Sequence, residues 1–582
     1  MRAMRTMVPS IRRAAPGWVL LLGCAMAGVA AAPAPAQVPV CTDCHDVDPA
    51  AFEKTVHGAA GIACTDCHTG AAVSHEDKGV PPVDCASCHQ DVVDELKTSP
   101  HGQGAFTRIS GKPACQTCHG PVHQLVRRDD PASQVNRRQV PDTCGACHAG
   151  VDKAFKASVH GEAAAHGVKE APVCTDCHGE HRILAVTDPG SPVFATNLPT
   201  MTCGRCHGDL RVTEKFNLPK NVVPSFEDSF HGLSSRAGNK TVANCASCHG
   251  VHLILPSADP RSTVNKANLA KTCGKCHPGA GTRFAIGPVH FLRTEEKQTA
   301  VFWIRRIYLW LIWSVIGGMV LHNLLDLRRK VLSPVQRPMI PVKERPPRMS
   351  RGFRVAHGLV MTSFIVLAYS GFALTYPGAW WAEPLVHWEE TIALRGWVHR
   401  VAAVVLVLSL GVHVVHLVIS RRARACMRRM WPTLEDWHEF VERMKWYLGR
   451  RKDMPVSGVL GYPEKAEYLA LIWGLLVMAL TGFLLWFENF TLHWFPKWVI
   501  DVSTTVHFYE AVLATLAILV WHFYFVMFDP LVYPMDTAWL NGKEAPGRLL
   551  ERRESVVEAL TPGPSPASGR GEQGSQEPSS TE

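Results

Sequence analysis

Residues 158–207 read SVHGEAAAHGVKEAPVCTDCHGEHRILAVTDPGSPVFATNLPTMTCGRCH. Two C-x-x-C-H units stand in this stretch, Cys174, Cys177 and His178, then Cys203, Cys206 and His207, with His160, His181 and His166 outside them, of which His166 has no counterpart elsewhere in the pattern. Such a unit places two thiols one helical turn apart, where they can form thioethers with the two vinyl groups of a haem while the adjacent histidine reaches the iron. The reading of the chain turns on whether this arrangement is accidental or repeated.

It is repeated. Besides those two units, the first half holds Cys41, Cys44 and His45; Cys64, Cys67 and His68; Cys85, Cys88 and His89; and Cys115, Cys118 and His119. It also holds Cys144, Cys147 and His148; Cys245, Cys248 and His249; and Cys273, Cys276 and His277. Eighteen of the 20 cysteines are used, leaving Cys24 and Cys426. Disulfides or zinc knuckles draw on the same residue types. Neither asks for a histidine directly after the second cysteine in nine units of nine, so the pattern predicts nine covalent c haems.

Aligned, the units form a repeat that carries two haems per copy. SPHG, CQTCHGPVH and TCGACH make one copy; SVHG, CTDCHGEH and TCGRCH the next; SFHG, CASCHGVH and TCGKCH a third. A shorter first copy has TVHG and the units at Cys64 and Cys85, and the Cys41 unit leads. Each copy brings two further histidines. They are His57, His75, His101, His123, His160, His181, His231 and His252, and His290 follows the last unit. Nine free histidines in register with nine haems predict bis-histidine iron. A lone histidine is ordinarily a surface residue, but nine recurring in register are not lone.

His123, His181 and His252 follow their units so closely that the tether, roughly 10 to 14 Å when extended, cannot wrap a macrocycle to its far face. They are expected to bind a neighbouring haem. His57, His101 and His160 lie twelve residues beyond a haem histidine, a length that permits the same or an adjacent haem. Long periodic apolar runs are few here, so short helices and loops packed around porphyrin are expected.

Haem attachment of this kind happens outside the cytoplasmic membrane. The chain opens accordingly with Arg2, Arg5, Arg12 and Arg13, an apolar run GWVLLLGCAMAGVAAA, and APA before Gln37, the pattern of an export signal over 1–36. LLGC, ending at Cys24, is a weaker lipoprotein alternative because the apolar run continues past it.

Beyond His290 five apolar stretches appear at 302–326, 355–376, 397–419, 466–487 and 506–528, each about the length of a bilayer-spanning helix. With the haem domain outside, segments 327–354 and 420–465 fall inside and carry nine and eleven Lys and Arg, against Arg395 and Lys497 alone in the outer segments. The charge bias agrees with that orientation and puts the C-terminus in the cytoplasm. It also accounts for much of the net +9 charge, so nucleic acid is not expected as a partner.

Histidines within spans call for a function. His399 and His507 lie at outer ends of spans, His357 and His522 at inner ends. His507 and His522 are fifteen residues apart, roughly 22 Å along a helix, which suits two stacked b haems. His413 rivals His357 as the partner of His522. His416 and His322, also at the inner level, could bind haem, bind quinone or simply pack. Arg354 and Arg400 are candidate propionate partners, and Glu510 could accept a quinol proton or cap a polar pocket.

The arrangement resembles the CbcL-type inner-membrane multihaem cytochromes, in which a nine-haem c domain is fused to a dihaem b module. The membrane half is similar to the four-helix cytochrome b subunits of membrane-bound hydrogenases and formate dehydrogenases. RVAHG at His357, GWVHR at His399, EKAEYLALIWGLLVMALTGFLLWF from Glu464, and VHFYEAVLATLAILVWHFY with His507 and His522 carry that likeness. It implies an outer haem on His399 and His507 and an inner haem on His357 and His522, favouring His357 over His413. It further implies menaquinol oxidation, with electrons passing through the c haems to periplasmic c-type cytochromes and on to a periplasmic or extracellular acceptor. The 302–326 span lies outside the four-helix pattern, so His322 inherits no role.

The expected chain is therefore mainly α. A signal peptide (1–36) precedes a haem-packed periplasmic multihaem cytochrome c domain with little regular sheet (37–295). A first membrane helix (302–326), a four-helix dihaem cytochrome b domain (350–540) and a disordered cytoplasmic tail (541–582) follow, all in the bacterial inner membrane and in contact with the quinone pool. Two other functions are weighed: the same wire run backwards, reducing quinone from a periplasmic donor, and a terminal reductase of nitrogen or sulfur oxyanions. The last needs an iron without its second protein ligand, whereas the ligand count closes.

Overall fold

The computed structural model describes residues 41, 45–69, 82–105, 114–282, 289–292, 299–332, 340–388, 393–458 and 460–551. The expected signal peptide, Cys44, His75 and the tail beyond 551 lie outside the described residues. Two compact units are present, Met1–Cys85 with His123–Leu125, and Ala86–Val122 with Val126–Glu582. The chain is mainly helical, and among the described residues β structure amounts to a bridge between Pro347 and Lys543.

Helices of the cysteine-rich half are short because each serves one motif. The thiols of a unit sit on single turns such as Cys174–His178 and Cys245–His249. The S/T-x-H-G histidines open turns of their own. Thr55, Ser158 and Ser229 cap Val56–Ala59, Val159–Ala165 and Phe230–Arg236, each hydroxyl accepting from the glycine N–H three residues on, at 3.1, 3.1 and 3.2 Å. Such caps are worth about 1 kcal/mol. The glycine is required by close approach: a Cβ on Gly58, Gly161 or Gly232 would stand 2.1 Å from the carbonyl oxygen of Phe52, Phe155 or Phe226. Side chains supply little core here; Ser99, Ser158, Ser191 and Ser262 are as deeply buried as Val173 or Phe194. That is the packing expected where macrocycles supply the apolar mass.

Five helices long and apolar enough to cross a membrane follow: Ala300–Leu332, Arg351–Thr375, Leu394–Ile419, Tyr462–Trp486 and Trp498–Phe528. They cover the expected apolar stretches to within one residue, Tyr376 and Phe487 lying just past their helices, and all five begin earlier, because polar first turns such as Arg351–Arg354 are helical too. Ser350 explains the start of the second span, accepting from the Phe353 N–H. The second span packs along the third, and the first and fourth flank the fifth. In the fifth span, regular α-helix ends at Ala517 and wider π-turns run over Ile518–His522 and Tyr524–Phe528. Such bulges re-aim side chains at functional positions.

Between the third and fourth spans, helix Leu434–Tyr447 lies against the first and fourth. The tail departs from expectation at its beginning. Residues 541–551 fold, with a turn over Pro546–Glu551 in which Gly547 and Glu551 are buried. Composition did not reveal this because the stabilising partners are remote. Lys330 of the first span, 4% exposed, reaches Asp326 at 3.0 Å, Asp529 at 2.9 Å and Glu551 at 3.3 Å. Arg443 and Arg548 meet the same Glu551 at 3.1 and 3.0 Å.

Candidate haem sites

Outside the membrane half, fourteen of the described histidines stand in seven pairs. His68 and His123 have ring centroids 6.2 Å apart within the first unit. Within the second, His101 and His148 are 6.1 Å apart, His119 and His181 6.1 Å, and His160 and His207 6.2 Å. His178 and His252 are 6.2 Å apart, His231 and His277 6.2 Å, and His249 and His290 6.1 Å. Two metal–imidazole bonds of about 2 Å, each extended by about 1.1 Å from nitrogen to ring centre, require roughly 6.2 Å. The pairs therefore fit an iron between the rings. Burial, and then the facing His207, push His160 down to about 4, leaving the neutral imidazole that a metal needs.

The pairs follow two rules. A histidine just downstream of a copy's first unit faces the first unit of the preceding copy: His123 faces His68, His181 faces His119 and His252 faces His178; His290, beyond the last unit, takes the same place opposite His249. The glycine between unit and histidine makes this possible. Gly179 and Gly250 have φ of +86° and +84°, turning the chain away from its own unit in a conformation L-residues avoid. The S-x-H-G histidines face forward to the second unit of their own copy, His101 to His148, His160 to His207 and His231 to His277. His101 and His160 thus pass over His89 and His148, the units twelve residues before them. His75 lies outside the described residues. Attachment cysteines of successive copies also meet, Cys144 with Cys174 and Cys203 with Cys245, each pair within hydrogen-bonding reach.

In the membrane half His399 faces His507 and His357 faces His522, both at 6.4 Å. They line one cavity of about 2200 Å³, ample for two groups of a class that commonly occupies about 300–1,000 Å³ each. The outer pair is oriented from neighbouring spans. Ser370 Oγ lies 2.9 Å from His399 Nδ1 and Thr481 Oγ1 2.9 Å from His507 Nδ1. Each hydroxyl also donates to a carbonyl four residues back, at 2.6 and 2.7 Å. It therefore accepts from Nδ1–H, turning Nε2 toward the cavity. Gly371 and Gly482 follow, and a Cβ on either would press to 3.4 Å from the ligand ring's Cε1. SGF at 370–372 and TGF at 481–483 were a legible repeat that histidine-based reading passed over.

His413 has another partner, its Nε2 lying 2.7 Å from Tyr468 OH. His357 is thus the residue opposite His522, whose Nδ1 lies 3.4 Å from Glu467 Oε2. Arg354 donates to the Leu540 carbonyl, and Arg400 stacks over Trp397 and Trp486 at 6.0 and 5.7 Å and lines the cavity. Glu510 is 4% exposed and accepts from Tyr308 OH at 3.0 Å. His322, given no role by resemblance, lines the cavity beside Trp521 and His522.

The two halves meet beside the His231–His277 pair. His277 Nδ1 lies 3.1 Å from Glu488 Oε1, on helix Glu488–Trp494 beyond the fourth span. That hydrogen bond raises the His277 pKa against the effect of burial. Phe230 and Leu233, flanking His231, line the same cavity as His399, Arg395 and Trp486.

Residues 348–537 match the family model for prokaryotic cytochrome b561, and residues 56–128 match that for cytochrome c3. No curated protein matches the chain. A multihaem c region is thus joined to a cytochrome b module in a membrane electron-transfer multihaem cytochrome.

Proposed function

We propose that the chain is a menaquinol dehydrogenase of the inner membrane, carrying two b haems and nine periplasmic c haems and passing electrons to periplasmic c-type cytochromes. His357 with His522 would hold the inner b haem and His399 with His507 the outer one. In each c unit the two cysteines would make the thioethers, while its histidine and the partner facing it bind iron. Bound haem supplies one-electron redox chemistry; the chain's residues fix each iron's axial ligands, exclude water and orient the imidazoles through Ser370, Thr481 and Glu467.

The observation that carries this reading is the junction at His277. The His231–His277 pair stands on the loop helix through Glu488 and beside the mouth of the cavity that holds His399, so the Cys273 haem is the natural entry from membrane to array. From there neighbouring cysteines lead back through the copies: Cys248 near Cys273, Cys203 against Cys245, Cys177 near Cys203, Cys144 against Cys174, and Cys118 near Cys144. The basic inner loops support a periplasmic haem domain and a cytoplasmic C-terminus.

A menaquinol analogue added anaerobically to the purified protein is expected to reduce the b haems and then the c haems, followed by their separate absorption bands. Failure of either set to reduce would sink the reading. Titration of both sets against menaquinone tests direction: b haems far above the quinone potential would favour current from the periplasm toward quinone.

A further inference from the structure

The first span stands outside the four-helix b pattern, yet it puts His322 into the wall of the haem cavity. This histidine is 7% exposed, and its ring lies against Trp521 with centroids 4.7 Å apart. Its Nε2 is 2.6 Å from Tyr462 OH on the fourth span. Two polar atoms at this end of the cavity, Trp521 Nε1 and Glu467 Oε1, are buried with no hydrogen-bond partner among the described residues. A donor and an acceptor so placed suit a ligand with both carbonyl and hydroxyl character.

Behind Tyr462 lies a second cavity of about 20 Å³, lined by Asp326, Glu439, Tyr447 and Tyr462, enough for one water. Asp326 Oδ1 and Glu439 Oε1 are likewise buried without a hydrogen-bond partner among the described residues, Glu439 Oε1 standing 4.0 Å from the Arg443 guanidinium. Glu439 belongs to helix Leu434–Tyr447, outside the spans and on the side of the basic loops.

We infer that His322, Tyr462 and Glu439 form the proton exit for quinol oxidised at the inner end of the cavity, delivering protons to the face that carries the basic loops. The inference rests on the quinol reading above. At rest His322 Nδ1–H points to Asn323 Oδ1 over a long 3.4 Å and Nε2 accepts from Tyr462 OH. A bound quinol would displace that Nδ1 contact, so that His322, its proton moved to Nε2, accepts the quinol O–H proton at Nδ1 and passes the Nε2 proton to Tyr462 oxygen. Tyr462 releases its own proton through water in the small cavity to the Glu439 carboxylate. Quinol becomes quinone by losing two protons along this path, one after the other, and two electrons to the b haems, one each.

Glu439 suits the last position. Burial pushes its carboxyl up to about 7, so it takes up and releases protons near neutrality. It faces Arg443 and Asp436 on its own helix, Glu464 on the fourth span and Glu551 of the tail, while Asp326 and Tyr447 share its cavity. The rival acceptor is Glu510, bonded to Tyr308 one turn from His507.

The test uses the full chain with both b haems in proteoliposomes, haem domain outward, with a pH dye trapped inside and menadiol as donor. H322F keeps an aromatic ring against Trp521. It is expected to slow menadiol reduction of the b haems about 100-fold while the dithionite-reduced spectrum and the b midpoint potentials stay as in wild type. Y462F and E439Q are expected to slow the same step, and wild type to acidify the lumen. Binding of a hydroxyquinoline N-oxide, read by its fluorescence, is expected to survive in E439Q. Reduction of H322F at the wild-type rate, a block in E510Q without one in H322F, or acid appearing outside would overturn the relay. If menadiol reduces wild type and H322F alike, the relay alone falls; if it fails to reduce wild type, the quinol reading falls with it.

Discussion

Exchanging His357 for alanine should remove one b haem of two, whereas the same change at His413 should remove none. Both histidines sit at the inner level of a span, so depth does not separate them. Geometry does. The His357 ring is 6.4 Å from that of His522, the separation an iron between two imidazoles needs, while His413 Nε2 is engaged by Tyr468 OH at 2.7 Å. His357→Ala leaves His522 as the single protein ligand, and the b content per nine c haems should fall by about half, with any retained inner haem turning high-spin. His413→Ala breaks one hydrogen bond, about 0.5–1.5 kcal/mol, and leaves the haem count unchanged. Pyridine haemochrome spectra, which separate b from c haem, measure the ratio, and low-temperature paramagnetic resonance reports spin state. Loss of a b haem in His413→Ala, with both retained in His357→Ala, would refute the pairing.

Three further outcomes follow from named contacts. His181→Ala should create one high-spin ferric haem, and adding His119→Ala should affect no second haem, because the two histidines serve one iron; two altered haems would mean that His181 binds elsewhere. Lys330→Met leaves Asp326, Asp529 and Glu551 facing one another without their shared cation and should cost about 3–5 kcal/mol, measured by denaturant unfolding in detergent; a loss below about 1 kcal/mol would show that the network does not hold the tail. Burial pushes the Glu439 carboxyl from its ordinary value of 4.5 up to about 7, so between those values the folded state binds more protons and stability falls as pH rises. The gap amounts to roughly 3 kcal/mol, absent in E439Q; parallel pH profiles for the two proteins would contradict it.

Haem attachment, the two-haem repeat and the five spans were legible because each is a local pattern. Two thiols and a histidine within five residues, or some twenty apolar residues in a row, carry their chemistry wherever the chain goes. The short tether at His181 likewise excluded its own haem, since a distance limit needs no fold.

Which unit it faces was decided by tertiary structure: the turn at Gly179 sends His181 back to His119, and Ser158 with Gly161 sets His160 toward His207. In the membrane half the sequence by itself left His357 and His413 open until resemblance favoured one. Packing of the second span against the third, with the fourth beside the fifth, brings one ring opposite His522 and gives the other to Tyr468. Ser370, Thr481 and the Lys330–Glu551 contacts depend on the same packing, because their partners lie 26 to 221 residues away. Chemistry resides in residue types and short spacings, so the sequence by itself determined which groups are offered to a haem and how many such motifs the chain carries. Pairing depends on distances that exist only once spans and loops have packed, and only the tertiary structure decided those.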